Sequence, residues 1–62
     1  MPIITIEGPA IPDMSARRKL AEELTQAAVR AYGLPAEKMI VAIREVSPEQ
    51  VAVGGVLIAD RK

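Results

Sequence analysis

Apolar and polar positions divide the chain into a few local patterns. "PIITIE" (Pro2–Glu7) sets three isoleucines around Thr5, a β-branched run that suits a strand. Proline is tolerated at a strand's first residue. Apolar residues fall on both faces of this run, so both faces are expected to be covered. "GPAIP" (Gly8–Pro12) combines a glycine with two prolines and predicts a loop. Asp13 then offers an N-cap for a helix from about Met14 to Tyr32. Within it Leu20, Leu24, Ala27, Ala28 and Ala31 follow the spacing of an apolar helical stripe. Arg18, Lys19, Glu22, Glu23, Gln26 and Arg30 take the other side. Gly33 stands where a left-handed residue closes a helix, and Pro35 bars continuation. "KMIVAIREV" (Lys38–Val46) predicts a second strand and "SPEQ" (Ser47–Gln50) a turn. "VAVGGVLIA" (Val51–Ala59) predicts a small hairpin about Gly54–Gly55, and Asp60–Lys62 a polar tail.

Strand, helix and strand in this order make a βαβ unit, whose two strands should be parallel with a right-handed crossover. The expected class is therefore α+β: one domain over residues 1–62, with a short C-terminal β-hairpin. Two parallel strands under one helix are not stable alone in water, and parallel sheets normally have both faces covered. Two copies joined edge to edge would give four strands under two helices, still with one face open. Burial thus predicts an oligomer larger than a dimer.

Composition narrows the remedies for a small core. The chain has 62 residues, half of them hydrophobic, with a single aromatic, Tyr32. A domain of this size buries only ~60% of the surface its unfolded chain exposes, and small scaffolds lean on disulfides, metals or oligomerisation. With no Cys and no His, disulfides and the usual Cys/His zinc sites are excluded; neither metal nor cofactor is expected. Net charge is zero, without the basic footprint of a nucleic-acid binder. No apolar run approaches the ~20 residues of a membrane span, and no secretory signal opens the chain. These features predict a cytoplasmic protein with neither nucleic-acid nor membrane partner.

The same two absences remove thiolate nucleophiles, histidine bases and His-assisted serine triads. Glu22 and Glu23 lie four residues after Arg18 and Lys19, which makes them solvated helix pairs stabilising by ~0.2–0.5 kcal/mol each. The remaining candidate is Pro2. Once Met1 is removed, Pro2 carries a free secondary amine. An α-amino group titrates near ~7.7–8.0, and apolar surroundings or nearby cations lower that value. A base poised near neutrality abstracts protons without any histidine. The plain alternative is that Pro2 simply begins a strand.

The pieces "MPIITIEGP", "YGLP", "IREV" and "VAVGG", in this order and spacing, resemble the 4-oxalocrotonate tautomerase family over essentially the whole chain. The closest likeness is to its short 2-hydroxymuconate tautomerase-like members. The resemblance implies tautomerase-like βαβ subunits assembled as a hexamer, a trimer of dimers. It implies that Pro2 is general base and acid, in a reaction that moves a proton between carbons of a dienol or unsaturated keto acid. It further implies arginines that bind substrate carboxylates, and a hydrophobic residue before the Gly-Gly hairpin that closes the pocket. The family's two arginine positions fall here on Pro12 and Ile40, and its aromatic pocket position on Val51.

A dianionic substrate still calls for cations, since electrostatic stabilisation of developing charge is usually the largest single contribution to catalysis. Lys38 and Arg44 are expected to share a strand face with Ile40, and Arg17 borders the helical stripe near the loop. The candidate site is therefore Pro2 as the catalytic residue, with Lys38, Arg44, Arg17 and Val51 binding substrate. The competing roles are a surface lysine, a sheet-edge Arg44 paired to a neighbouring chain, and an Arg17–Asp13 pair across one helical turn. As a whole the chain reads as an isomerase of small unsaturated 2-hydroxy or 2-keto acids, a mono- or dicarboxylate being its partner and a homohexamer its assembly. Two alternatives stand beside it. One is a hydratase, dehalogenase or decarboxylase of the same fold, with Glu7 or Glu45 activating water; the other is a non-catalytic oligomeric binding protein.

Overall fold

In the computed structural model, which describes residues 1–61, a parallel strand pair lies under one helix and leads into a separate hairpin. Lys62, the end of the predicted polar tail, lies outside the described residues. The elements are β1 (Ile3–Gly8), α1 (Met14–Tyr32), a 3₁₀ turn (Ala36–Lys38) and β2 (Ile40–Glu45). They are followed by β3 (Ala52–Val53), β4 (Val56–Leu57) and a second 3₁₀ turn (Ile58–Asp60). The βαβ unit with its C-terminal hairpin is the architecture that the patterning predicts. Strands β1 and β2 are parallel, in register from Ile3↔Ile40 to Gly8↔Glu45. Strands β3 and β4 pair antiparallel and form their own two-stranded sheet.

The helix occupies its predicted bounds because local signals define both ends. The Asp13 carboxylate accepts the Ser15 N–H at 3.0 Å, satisfying one of the free amide groups of the first turn. At the other end Gly33 has φ 68°, and its N–H donates to the Val29 carbonyl at 2.9 Å. A residue with a Cβ would be strained there by about 1–2 kcal/mol.

Two expectations are corrected. The inward stripe of α1 is Arg17, Leu20, Ala21, Leu24, Thr25, Ala28 and Val29, whereas Ala27 and Ala31 are exposed. Each residue turns the helix by about 100°, so Ala27 sits roughly a quarter turn from the Ala28 side; apolarity alone does not force an alanine inward. The second strand begins at Ile40 and not at Lys38. Here Lys38 N–H donates to the Pro35 carbonyl and Met39 N–H to the Ala36 carbonyl, both at 3.0 Å. These bonds close a 3₁₀ turn, so Lys38 precedes the strand and does not share the face of Ile40.

Helix α1 packs chiefly on β2 and the first 3₁₀ turn. Among the described residues only Ala28 is buried, while Ile3 is 62% and Ile40 41% exposed. The radius of gyration is 14.8 Å and the shortest dimension 14 Å, against a radius of about 10–11 Å for a compact chain of this length. The chain is thus a flat, elongated body with one sheet face open. Among the described residues, no helix is long and apolar enough to cross a membrane.

Candidate active site

The two ends of the β1–β2 sheet carry different chemistry. At the N-terminal end of β1, the Pro2 carbonyl accepts the Ile40 N–H at 3.1 Å. The ladder therefore uses the oxygen of Pro2 and has no use for its nitrogen, which bears no hydrogen while Met1 is attached. Pro2 is half-buried, and Met1 beyond it is 83% exposed. The 3₁₀ turn delivers Lys38 to this end, one residue before Met39, which continues the register beside Pro2. Lys38 is exposed.

The opposite end is tied together by a charge pair. Arg17 Nη2 pairs with Glu45 Oε2. Glu45 Oε2 also accepts the Ile11 N–H at 2.9 Å, while Arg17 Nη2 donates to the Ile11 carbonyl at 2.6 Å. One ion pair thereby satisfies both backbone groups of a loop residue and fastens Gly8–Pro12 to α1 and β2. Asp13, the partner of Arg17 in the competing role, uses its carboxylate on the helix cap.

Beside this knot an apolar cleft of about 260 Å³ is lined by Pro9, Val46, Pro48, Val51 and Ile58. It is held by the Ile58 N–H to Val51 carbonyl bond at 2.8 Å and the Ala59 N–H to Pro48 carbonyl bond at 3.0 Å. Ser47–Gln50 makes the predicted turn, with Gln50 N–H on the Ser47 carbonyl at 2.9 Å.

The candidate residues are consequently split. Pro2 and Lys38 stand at one end of the sheet; Arg17, Arg44 and Val51 stand towards the other. At about 3.3 Å per residue, Arg44 lies roughly 16 Å and the Gly8 rung roughly 20 Å along the strand from Pro2. Within one chain they do not converge on its own proline. The apolar neighbours of Val51 carry no periodic signal, because Pro9, Val46, Pro48 and Ile58 lie in turns and loop ends; sequence patterning therefore misses them. Patterning offers Glu45 only as a water-activating acid, and its link to Arg17 spans 28 residues.

A family model described as tautomerase enzyme matches residues 2–61. A probable tautomerase of Bacillus cereus is 33% identical over 61 residues, covering 98% of this chain and all of the relative. The crystal structure of YwhB, a homologue of 4-oxalocrotonate tautomerase, superposes with a TM-score of 0.91 at 28% identity, over 98% of this chain and 100% of that one. A heterohexamer 4-oxalocrotonate tautomerase from Chloroflexus aurantiacus superposes with a TM-score of 0.88 at 27% identity, over 100% of both chains.

Proposed function

Starting from the fact that the chain belongs to the tautomerase family, we propose that it is a tautomerase of small unsaturated 2-hydroxy or 2-keto acids that uses the Pro2 amine as its base and acid. The observation that carries this reading is the division of labour within Pro2: its carbonyl is bound into the ladder, while its nitrogen is left outside it. Met1 is 83% exposed, so its removal sacrifices almost no packing and frees that nitrogen on an anchored strand.

The neutral amine takes the proton of the substrate's 2-hydroxyl group as the C2–O bond becomes a carbonyl. The ammonium so formed returns a proton to a carbon of the conjugated chain, and the amine is regenerated. Lys38, at the same end of the sheet, attracts the carboxylate. The apolar wall of Val51, Pro9 and Ile58 belongs to the other end, so it meets a proline only when a neighbouring copy supplies it. A homohexamer accommodates this, and the scarcity of buried residues among those described and the open sheet face favour such an assembly. Arg17 is neutralised by Glu45 in its own chain. The same pairing occupies the carboxylate of Glu45, one of the two candidates for activating water in a related enzyme of this fold, and leaves Glu7 as the other.

The test is ketonisation of 2-hydroxymuconate and of phenylenolpyruvate, followed by absorbance, with Met1 removal checked by mass spectrometry. The mature protein should be active. Pro2→Ala should lower kcat/KM by about 10²–10⁴-fold, the usual loss of a positioned acid–base group, and a form retaining Met1 should lose at least as much. Full activity with Met1 retained would refute the assignment, because no free Pro2 amine would then exist.

A further inference from the structure

The face of the β1–β2 sheet turned away from α1 has a graded pattern. Strand side chains alternate, so Ile3, Thr5 and Glu7 of β1 share that face with Ile40, Ala42 and Arg44 of β2. The register joins them rung by rung as Ile3↔Ile40, Thr5↔Ala42 and Glu7↔Arg44. One end of the face is therefore apolar, the middle small, and the other end carries one negative and one positive charge. Neither α1, which lies on the opposite face, nor the C-terminal hairpin, which forms a separate sheet, covers it, and at its charged end Glu7 and Arg44 line a cleft of about 280 Å³ with the loop residues Gly8–Ile11. Glu7 and Arg44 are both exposed. Although they are rung partners, they form no ion pair; among the described residues the single ion pair is Arg17–Glu45.

We infer that Glu7 and Arg44 are inter-subunit contacts, each pairing with the opposite charge on the open sheet face of another copy of this chain. Burying Ile3 and Ile40 drives two faces together but is non-directional. A charged rung supplies what apolar area lacks, because complementary charges set the register of an interface and like charges penalise a wrong one. The occupant is a second copy because the face is electrically self-complementary: an acidic partner would leave Glu7 opposed, and a basic one would leave Arg44 opposed. The apolar end of the face likewise finds its match in its own kind. This inference rests on the homo-oligomeric part of the proposed function and adds the residues that specify the contact.

Charge reversal in the full-length protein tests it. Wild type, Glu7→Arg, Arg44→Glu and the double reversal are compared by sedimentation at low micromolar concentration, with circular dichroism confirming the helix. Each single reversal should dissociate to smaller species, raising the dissociation constant at least about tenfold. The double reversal should restore assembly. An equimolar mixture of the two single variants should form particles larger than either forms alone, containing both masses in native mass spectrometry. The mixture is decisive, since a pair made within one chain would stay broken in both variants. The neutral variants Glu7→Gln and Arg44→Gln should assemble more weakly than wild type and lose its sensitivity to salt.

The inference is overturned if the single reversals assemble like wild type, or if they dissociate while folded and mixing fails to recover larger species. It is also overturned if Arg44→Glu assembles normally but loses turnover of carboxylate substrates, which would place Arg44 in a neighbour's substrate site. A wild type that is itself monomeric is a distinct result and removes the homo-oligomeric reading on which the inference stands.

Discussion

Arg17 on α1 and Glu45 at the end of β2 form an ion pair that holds Ile11 by both its N–H and its carbonyl. The loop Gly8–Pro12, which has two prolines and no regular structure, is thereby fixed to the helix and the sheet. Each side chain is about one-third exposed, 34% for Arg17 and 35% for Glu45. Ion pairs this close to water are worth only about 0.2–1 kcal/mol, and the two bonds to Ile11 add about 1 kcal/mol each.

A double-mutant cycle should therefore show Arg17→Ala and Glu45→Ala each destabilising by about 1–2 kcal/mol, with losses that fall short of additive when combined. Glu45→Gln keeps an oxygen for the Ile11 N–H and should be milder. Urea midpoints at one fixed protein concentration are the readout, since assembly makes stability concentration-dependent. Strict additivity would show that the two side chains act separately.

Gly33 supplies a second stability prediction. At φ 68° it closes α1 and donates to Val29. Gly33→Ala should cost about 1–2 kcal/mol from the left-handed backbone alone, because a Cβ built there meets nothing within 4 Å. Gly33→Asn, which tolerates this region better, should recover part of the loss. Thermal unfolding of the three proteins decides it, and an unchanged Gly33→Ala would mean that the helix end re-forms one residue earlier.

Lys38 is the cation that the 3₁₀ turn places at the Pro2 end of the sheet. If it attracts the substrate carboxylate, Lys38→Ala should raise KM about tenfold, the scale of one charge-assisted hydrogen bond. It should leave kcat comparatively unaffected, and Lys38→Arg should retain most of the affinity. Equal KM values in wild type and Lys38→Ala would move the anion site to another residue.

The pH profile checks the base. Only the neutral amine accepts the substrate's proton, so kcat/KM should rise with pH along the acidic limb and level off once the amine is deprotonated. An unperturbed α-amine titrates near ~7.7–8.0. The midpoint of the limb should therefore report the amine's own titration. A profile flat through neutrality would remove Pro2 as the titrating group.

Most of what depends on neighbours in sequence was legible without a structure, the 3₁₀ turn at Ala36–Lys38 being an exception. Asp13, Gly33 and Pro35 bound the helix because caps and breakers act within a turn. The isoleucine and valine runs made β1 and β2, and Gly54–Gly55 made the hairpin, with φ 61° and 84° as such a turn needs. The βαβ order then required parallel strands. Pro2 was singled out on a local ground too, its position next to Met1, and its role remains the proposal that the assays above test. What only the tertiary structure decided depends on residues far apart in the chain. Arg17 meets Glu45 across 28 residues and Ile11 meets Glu45 across 34, so no local pattern could pair them. The true inward stripe of α1 depends on which side meets β2, and two exposed alanines show that apolarity did not choose it. The 3₁₀ turn placed Lys38 at the Pro2 end of the sheet, and the register placed Arg44 near the opposite end. The extended strand between them is too rigid and too long for one chain to bring those charges to one proline.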